Sequence, residues 1–263
     1  MTDDRSSLLE AVADVARLAG QVASRYFKSD IAIETKGDGS PVTIADRAAE
    51  DAARQWIAKR FPGDGIVGEE QGATPGPSRR RWIIDPIDGT KSFVRGVPLW
   101  GSLVAVCEGD DVIAGAASFP AIGEELAAAV ERGAWWNGVR CRVSLVDSIA
   151  NATVLTTNPQ FRLTPELKPG WDRLAGAASV ARGWGDCYGY LLVATGRAEV
   201  MVDGALSDWD AAALYPIIVE AGGVFTDRAG RSTPFGKSAI ATNAALAAHA
   251  RSLLGVPYEG NAR

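Results

Sequence analysis

Three acidic groups carry most of the chemical potential of this sequence: Glu69-Glu70, Asp85 with Asp88, and Asp208-Trp209-Asp210. Asp85 and Asp88 close an apolar, β-leaning run, Trp82-Ile83-Ile84, and Gly89-Thr90 follows them. A strand that ends in carboxylates delivers them to a sheet edge, where open α/β folds place ligands. Pro86 fixes its own φ and lacks a donor, so the strand pairing is expected to end there. Gly89 lets the backbone approach a ligand closely, and Thr90 is placed to cap a following helix. Hard carboxylate oxygens suit Mg²⁺, and free amides at a helix start suit a phosphate. A plain capped strand-to-helix turn would use the same residues, with one acid as the cap and the other solvated. Asp210, taken alone, is accounted for by a helix dipole worth about 0.3–1 kcal/mol.

Glu69-Glu70 follow the short apolar run Ile66-Val67-Gly68, and Asp210 opens an Ala/Leu-rich helix, so all three groups can converge on one sheet edge. Four carboxylates in one site need cations to offset their repulsion. Two or more Mg²⁺ ions meet that need, and such sites hydrolyse phosphate esters by in-line displacement. Other chemistries lack their parts. His249 is the only histidine and sits in a C-terminal Ala-rich stretch, which removes histidine nucleophiles and His-ligated zinc. No cysteine has an arginine six residues on, as a cysteine-phosphatase loop requires. Asp85 and Asp88 do not have the Asp-x-Asp spacing of aspartyl-phosphate enzymes. Asp208-Trp209-Asp210 has it without a preceding apolar strand. Gly183-Trp184-Gly185 lacks the third glycine of a dinucleotide loop, since position 188 is Tyr.

The elements that must position these residues follow from periodicity. Residues 6–28 have one apolar helical face. The connector Lys36-Gly37-Asp38-Gly39-Ser40-Pro41 serves equally well as a lid or as a plain link. A helix then runs from Thr43, its N-cap with Asp46 three residues on, to about Arg60. Phe61–Gly65 is a turn, 66–68 a short strand, and 71–81 a Gly/Pro loop in which Arg79-Arg80-Arg81 is a solvated strand entry. Runs at 99–106, 112–119 and 125–130 predict a β-meander, and Asn137-Gly138 between apolar residues predicts a hairpin whose tryptophans, Trp135 and Trp136, are core. Beyond a soft boundary near residue 145, which splits the chain into parts 1–145 and 146–263 of one compact catalytic unit, 153–156 is a strand. Helices are expected at 171–178, 186–195, 210–221 and 243–254. The fold class is α/β, layered in the α+β manner.

At 263 residues the chain can bury a substantial core. A formal charge of −5 gives nucleic acid no footing. The polar start Met1-Thr2-Asp3-Asp4-Arg5 is unlike a secretory signal, and no apolar stretch is long enough for a membrane span. Cys107, Cys141 and Cys187 make neither a disulfide framework nor a metal motif. A soluble cytoplasmic protein is expected.

Gly68-Glu69-Glu70, Asp85-Pro86-Ile87-Asp88-Gly89-Thr90 and Trp209-Asp210 with Glu220-Ala221-Gly222-Gly223 resemble the signatures of the inositol monophosphatase family, in its order and spacing. The resemblance covers nearly the whole chain, to about Leu254. It implies an αβαβα sandwich, usually a homodimer, that hydrolyses small phosphate monoesters with two to three Mg²⁺ ions. It also implies that Glu69, Asp85 and the Ile87 carbonyl hold a first ion, and Asp85, Asp88 and Asp210 a second. Thr90 backed by Asp46 then orients the attacking water, and the amides of Gly89 and Thr90 hold the phosphate. Glu70 supports its neighbour Glu69.

Within the family, residues 85–100 and 182–190 most resemble the histidinol-phosphate phosphatase branch. Gly185, Asp186 and Cys187 match a substrate-contacting stretch, and Asp203 falls where inositol enzymes carry a hydroxyl-binding acid. Histidinol phosphate carries an ammonium and an imidazole, so Asp186 or Asp203 beside the leaving group favours it over a neutral polyol. Trp184 is either a flat wall of that pocket or core. The alternatives are an inositol or sugar monophosphatase of the same family, and a non-catalytic regulatory binding protein on the same fold. Retention of every metal-ligand position argues against the last.

Overall fold

The computed structural model describes residues 4–37, 39 and 41–258. Asp38 and Ser40 of the 36–41 connector, and Met1–Asp3 of the polar start, lie outside the described residues. Helix α1 (Asp4–Ser24) buries Leu8, Val12, Val15, Ala16 and Ala19 on one face. It stops four residues short of the expected end, the chain turning through Lys28 at φ +61°. Strands β1 (Ile33–Thr35) and β2 (Pro41–Thr43) form an antiparallel pair that the sequence did not announce. Helix α2 (Ile44–Arg60) opens with the expected capping box. Thr43 Oγ1 accepts from the Ala45 amide, and Asp46 Oδ2 accepts from the Thr43 amide.

Next come β3 (Gly65–Gly68), β4 (Gly72–Thr74), β5 (Arg80–Asp88) and the single-turn helix α3 (Thr90–Phe93). The 71–81 segment is therefore not all loop: it supplies β4 and the first residues of β5. The meander and hairpin stand as expected, as β6 (Gly101–Glu108), β7 (Asp111–Phe119), β8 (Glu124–Ala129), β9 (Gly133–Trp136) and β10 (Val139–Arg140). Asn137 and Gly138 both have positive φ, as a type I′ turn requires. Trp135 and Trp136 are half-buried rather than core, because their strand lies next to the sheet edge. The eight strands are ordered β10-β9-β8-β7-β6-β5-β3-β4, antiparallel except where β3 runs parallel to β5.

The second half supplies β11 (Thr153–Leu155), α4 (Lys168–Ala177), β12 (Val180–Arg182), α5 (Asp186–Ala194), β13 (Val200–Asp203), α6 (Asp208–Ala212), α7 (Leu214–Glu220), β14 (Val224–Thr226), β15 (Ala239–Thr242) and α8 (Ala247–Leu254). Its five strands are ordered β12-β11-β13-β15-β14. The helix expected over 210–221 is two helices, since Pro216 has no N–H to return to the Ala212 carbonyl. Gly115 in β7 admits that break: a Cβ there would lie 2.3 Å from the Ala213 carbonyl oxygen. The last helix begins at Ala247, because Asn243 Oδ1 instead accepts from the Leu246 amide in a turn.

Alternation along the strands assigns the layers. Trp82, Ile84, Val104 and Val106 pack with α1 and α2, whereas Ile83, Leu103 and Ala105 face α5, α6 and α7. Leu155, Met201 and Ala241 cover the same middle helices from the other side. Val154, Val200, Val202 and Ile240 turn outward to Leu174 of α4 and Leu254 of α8. Two sheets thus sandwich one helix layer and are each covered by another, an αβαβα arrangement. No helix among the described residues is long and apolar enough to cross a membrane.

Candidate active site

The acids arrive at one place from five elements. Glu69 follows β3, Asp85 and Asp88 lie at the end of β5, Asp210 is in the first turn of α6, Asp186 opens α5, and Asp203 ends β13. Asp85, Asp88 and Asp210 each bring one carboxylate oxygen to within 4.8 Å of the others. Pro86 does not end the strand pairing. Asp85 pairs with Leu103 and Asp88 with Gly101, so the ladder resumes after a bulge. Nor does Thr90 cap α3: Gly89 is the N-cap, at φ +86°, and Thr90 is the first helical residue. The Thr90 hydroxyl donates to the Ile87 carbonyl at 3.0 Å. A side chain at Gly89 would meet the Leu99 carbonyl at 3.0 Å.

Charge in this site is out of balance. Burial first, then the negative charges of Glu69, Asp88 and Asp210, push Asp85 well above the usual carboxylate range. Burial, Asp186 and Asp210 do the same to Asp88, against the Cys187 amide that donates to its Oδ2 at 2.5 Å. Burial, opposed by the Ser207 amide and reinforced by Glu69, brings Asp210 to about 6. Burial with Asp203 and Asp210 takes Asp186 to about 7, despite Lys91. At the Glu69 end the positive charge comes from Lys36. Lys36 Nζ lies 2.7 Å from Glu69 and 2.6 Å from Glu70, and its own pKa is raised. Burial nevertheless lifts Glu70 to about 7, Lys36 opposing and Glu69 reinforcing.

A divalent cation fits these residues. The donors are hard oxygens, their mutual repulsion calls for positive charge, and Asp46 leaves its Oδ1 buried without a partner. The other Asp46 oxygen is occupied by the Thr43 amide and hydroxyl, at 2.8 and 2.7 Å. The hydroxyl it holds is thus Thr43, not Thr90.

Beside the acids lies a cavity of about 220 Å³, lined by Asp88, Asp186, Asp203 and Asp210 together with Lys91, Asn158, Phe161 and Leu163. Cys187 lines it as well, while its amide holds Asp88. Gly185 N-caps α5 with no room for a side chain, since a Cβ would sit 2.2 Å from Thr157 Cα. Both Asp203 oxygens are engaged, one by the Thr157 amide at 3.1 Å and one by the Tyr190 hydroxyl at 3.0 Å. Among the described residues no hydrogen-bond donor reaches the Asp186 carboxylate. Trp184 is 43% exposed, so it is not core, and it does not line the cavity. His249 is exposed on α8. Sequence reasoning missed Lys36 as a partner of the acids, and also Tyr190, Asn158, Phe161 and Leu163 as parts of the pocket. Only Lys36 had a signal: an acid cluster needs a cation, and Lys36 stands in a Gly-rich connector.

The family model described as the inositol monophosphatase family matches residues 4–255. Histidinol-phosphatase from Chlorobaculum parvum is 42% identical over 90% of this chain and 93% of its own length. Histidinol-phosphatase from Mycobacterium tuberculosis is 39% identical over 94% and 96%. Among solved structures, the extragenic suppressor protein suhB from Bartonella henselae superposes with a TM-score of 0.89 at 27% identity, over 94% of this chain and 98% of its own.

Proposed function

Because the chain belongs to the inositol monophosphatase family of phosphoric monoester hydrolases and carries an acidic group that could hold a metal, we propose that it hydrolyses L-histidinol phosphate to L-histidinol and phosphate with two to three Mg²⁺ ions. The observation that carries the choice of substrate is the cavity wall. Asp186 faces it with no hydrogen-bonded partner among the described residues, a fit for a cationic leaving group. Relatives called histidinol-phosphatase at 36–42% identity support the same choice. An inositol phosphate is favoured less, because each Asp203 oxygen already accepts one hydrogen bond, from Thr157 or Tyr190, and so keeps one acceptor site rather than two for a substrate hydroxyl.

Glu69, Asp85, Asp88 and Asp210, with the Ile87 carbonyl, would hold the ions. Bound Mg²⁺ supplies Lewis acidity toward the phosphoryl oxygens and a lowered pKa for the attacking water. The chain's own residues do the rest. Thr90 spends its proton on Ile87, so its oxygen lone pairs are free to accept from that water and orient it. Asp46 keeps one oxygen free beneath the site and anchors the start of α2 with the other. Gly89 allows the backbone to approach the phosphate, and the first amides of α3, with Thr90, have no partner within that helix. Gly185 and Cys187 shape the leaving-group end beside Asp186. A homodimer in the cytoplasm is the assembly and location this reading carries.

Phosphate release from L-histidinol phosphate and from inositol 1-phosphate, with and without Mg²⁺, tests it. A Mg²⁺-dependent preference for the first supports the assignment, and an equal or reversed preference removes the substrate. If Glu69→Gln and Asp88→Asn leave the cellular role intact, that role is non-catalytic.

A further inference from the structure

Glu50 is fully buried in α2, yet it belongs to none of the chemistry above. Its Oε2 accepts from the Glu70 amide at 2.8 Å, and its Oε1 from the Gln71 amide at 3.1 Å. These are the two residues that follow Glu69. Arg54, one helical turn on, donates to Glu50 Oε1 at 2.7 Å and to Thr74 Oγ1 at 3.2 Å, tying the carboxylate to both α2 and β4. On the other side the Glu69 amide donates to the Ile84 carbonyl at 3.2 Å, one residue before Asp85. Glu69 therefore sits between a ladder bond to the Asp85 strand and a carboxylate clamp on its own turn. Gly68 completes the device. A Cβ there would lie 2.1 Å from Glu50 Oε1, so only glycine lets the carboxylate come under the turn.

We propose that Glu50, supported by Arg54 and admitted by Gly68, is a positioning residue that fixes the Glu69 carboxylate relative to Asp85 and so sets the metal affinity of the site. This rests on the reading of Glu69 as a metal ligand. A buried carboxylate that only stabilised the turn would affect melting but not metal affinity. Glutamine at position 50 keeps the size but turns an NH₂ toward one of the two amides, so it releases the clamp without opening a cavity.

Mn²⁺ binding to the whole protein without substrate, followed by electron paramagnetic resonance, separates the possibilities. Glu50→Gln and Gly68→Ala should each weaken Mn²⁺ about 10–100-fold, the loss typical of removing an outer support of a metal ligand. The double variant should be no weaker than the weaker-binding single, because both changes undo one clamp. The KM for substrate at saturating Mg²⁺ should stay within about twofold, since the clamp touches no substrate group. A folded Glu50→Gln protein with unchanged Mn²⁺ affinity overturns the proposal. Should Glu50→Gln not fold, Arg54→Gln decides: weaker Mn²⁺ binding supports the clamp and unchanged binding overturns it. Glu69→Gln serves as reference. If it leaves Mn²⁺ affinity intact, Glu69 is not a ligand and the clamp loses its purpose. If it weakens Mn²⁺ while Glu50→Gln does not, only the clamp is wrong.

Discussion

Stripped of metal, this protein should lose stability as the pH rises from about 4 to about 7.5. An unfolded chain releases aspartate protons near 3.8, whereas Asp210 holds its proton to about 6 and Asp186 to about 7. Between those values the folded state binds more protons than the unfolded one, so ΔG of unfolding falls with pH. The stability these raised carboxyls confer is fully present below the unfolded value and is lost through the folded one. From about pH 5 to about pH 7.5 the loss is roughly 1.4 kcal/mol for Asp210 and roughly 2.5 kcal/mol for Asp186. Counting their mutual repulsion once leaves roughly 2–4 kcal/mol, or roughly 4–16 °C in Tm for a chain of this size. Asp85 and Asp88 push in the same direction.

Magnesium should reverse the trend, because it binds only the folded site and competes with those protons. Thermal melts in EDTA and in excess MgCl₂, at about pH 5 and about pH 7.5, make the measurement. The expected pattern is a higher Tm at the lower pH in EDTA, and a larger Mg²⁺ gain at the higher pH. A Tm in EDTA that is flat or rises across this window refutes the reasoning. The carboxylates would then be balanced without an ion, and the cation site would lose its electrostatic basis.

Three further outcomes follow from the geometry. Asp186→Asn should lower kcat/KM for L-histidinol phosphate about 10–150-fold, a charge-assisted hydrogen bond of about 1.5–3 kcal/mol, while sparing inositol 1-phosphate; side-by-side kinetics check it. Thr90→Val should cut kcat by about 10²–10⁴ and leave the Mg²⁺ concentration for half activity unchanged, since the hydroxyl orients water and holds no ion. Arg251→Met should cost roughly 2–4 kcal/mol in urea unfolding with kcat unaltered. This buried guanidinium binds the Thr226 and Thr242 hydroxyls and the Ile240 and Ala247 carbonyls, far along the chain from the acids.

What the sequence revealed depended on whether a signal was local. The carboxylates were legible because each stands in a short contiguous run with a strand or helix boundary beside it. The β6–β8 meander and the Asn137-Gly138 hairpin were legible from alternation and turn chemistry. The β1–β2 pair and β4 were not: each strand is three residues long, β1 and β4 are wholly exposed, and no alternation marks them. Pro216 announced the break between α6 and α7, but an apolar run of helical period masked it. Glu50 looks like an ordinary charge on a helix, and Lys36 is marked only by the need of an acid cluster for a cation. Their roles exist only once β3, α2 and β1 are brought together.

The separation of Asp85 and Asp88 shows why a motif needs its fold. In a regular strand, residues three apart point to opposite faces, so this spacing should divide the two carboxylates. The bulge removes the conflict. Pro86 and Ile87 together oppose Ser102 alone, which shifts the phase by one residue and returns both acids to the side of Asp210. A bulge normally leaves polar groups without ladder partners. Here the Pro86 carbonyl takes the Ser102 hydroxyl at 2.6 Å, the Ile87 amide goes to Asp85 Oδ1 at 3.0 Å, and Pro86 has no amide to satisfy. The proline that read as a strand stop is instead the residue that lets the strand change phase without an orphaned donor. The Ile87 amide fixes one Asp85 oxygen, and the carboxylate keeps its remaining lone pairs for cations. The same device that makes Asp85 and Asp88 neighbours thus creates the charge imbalance that a metal must relieve.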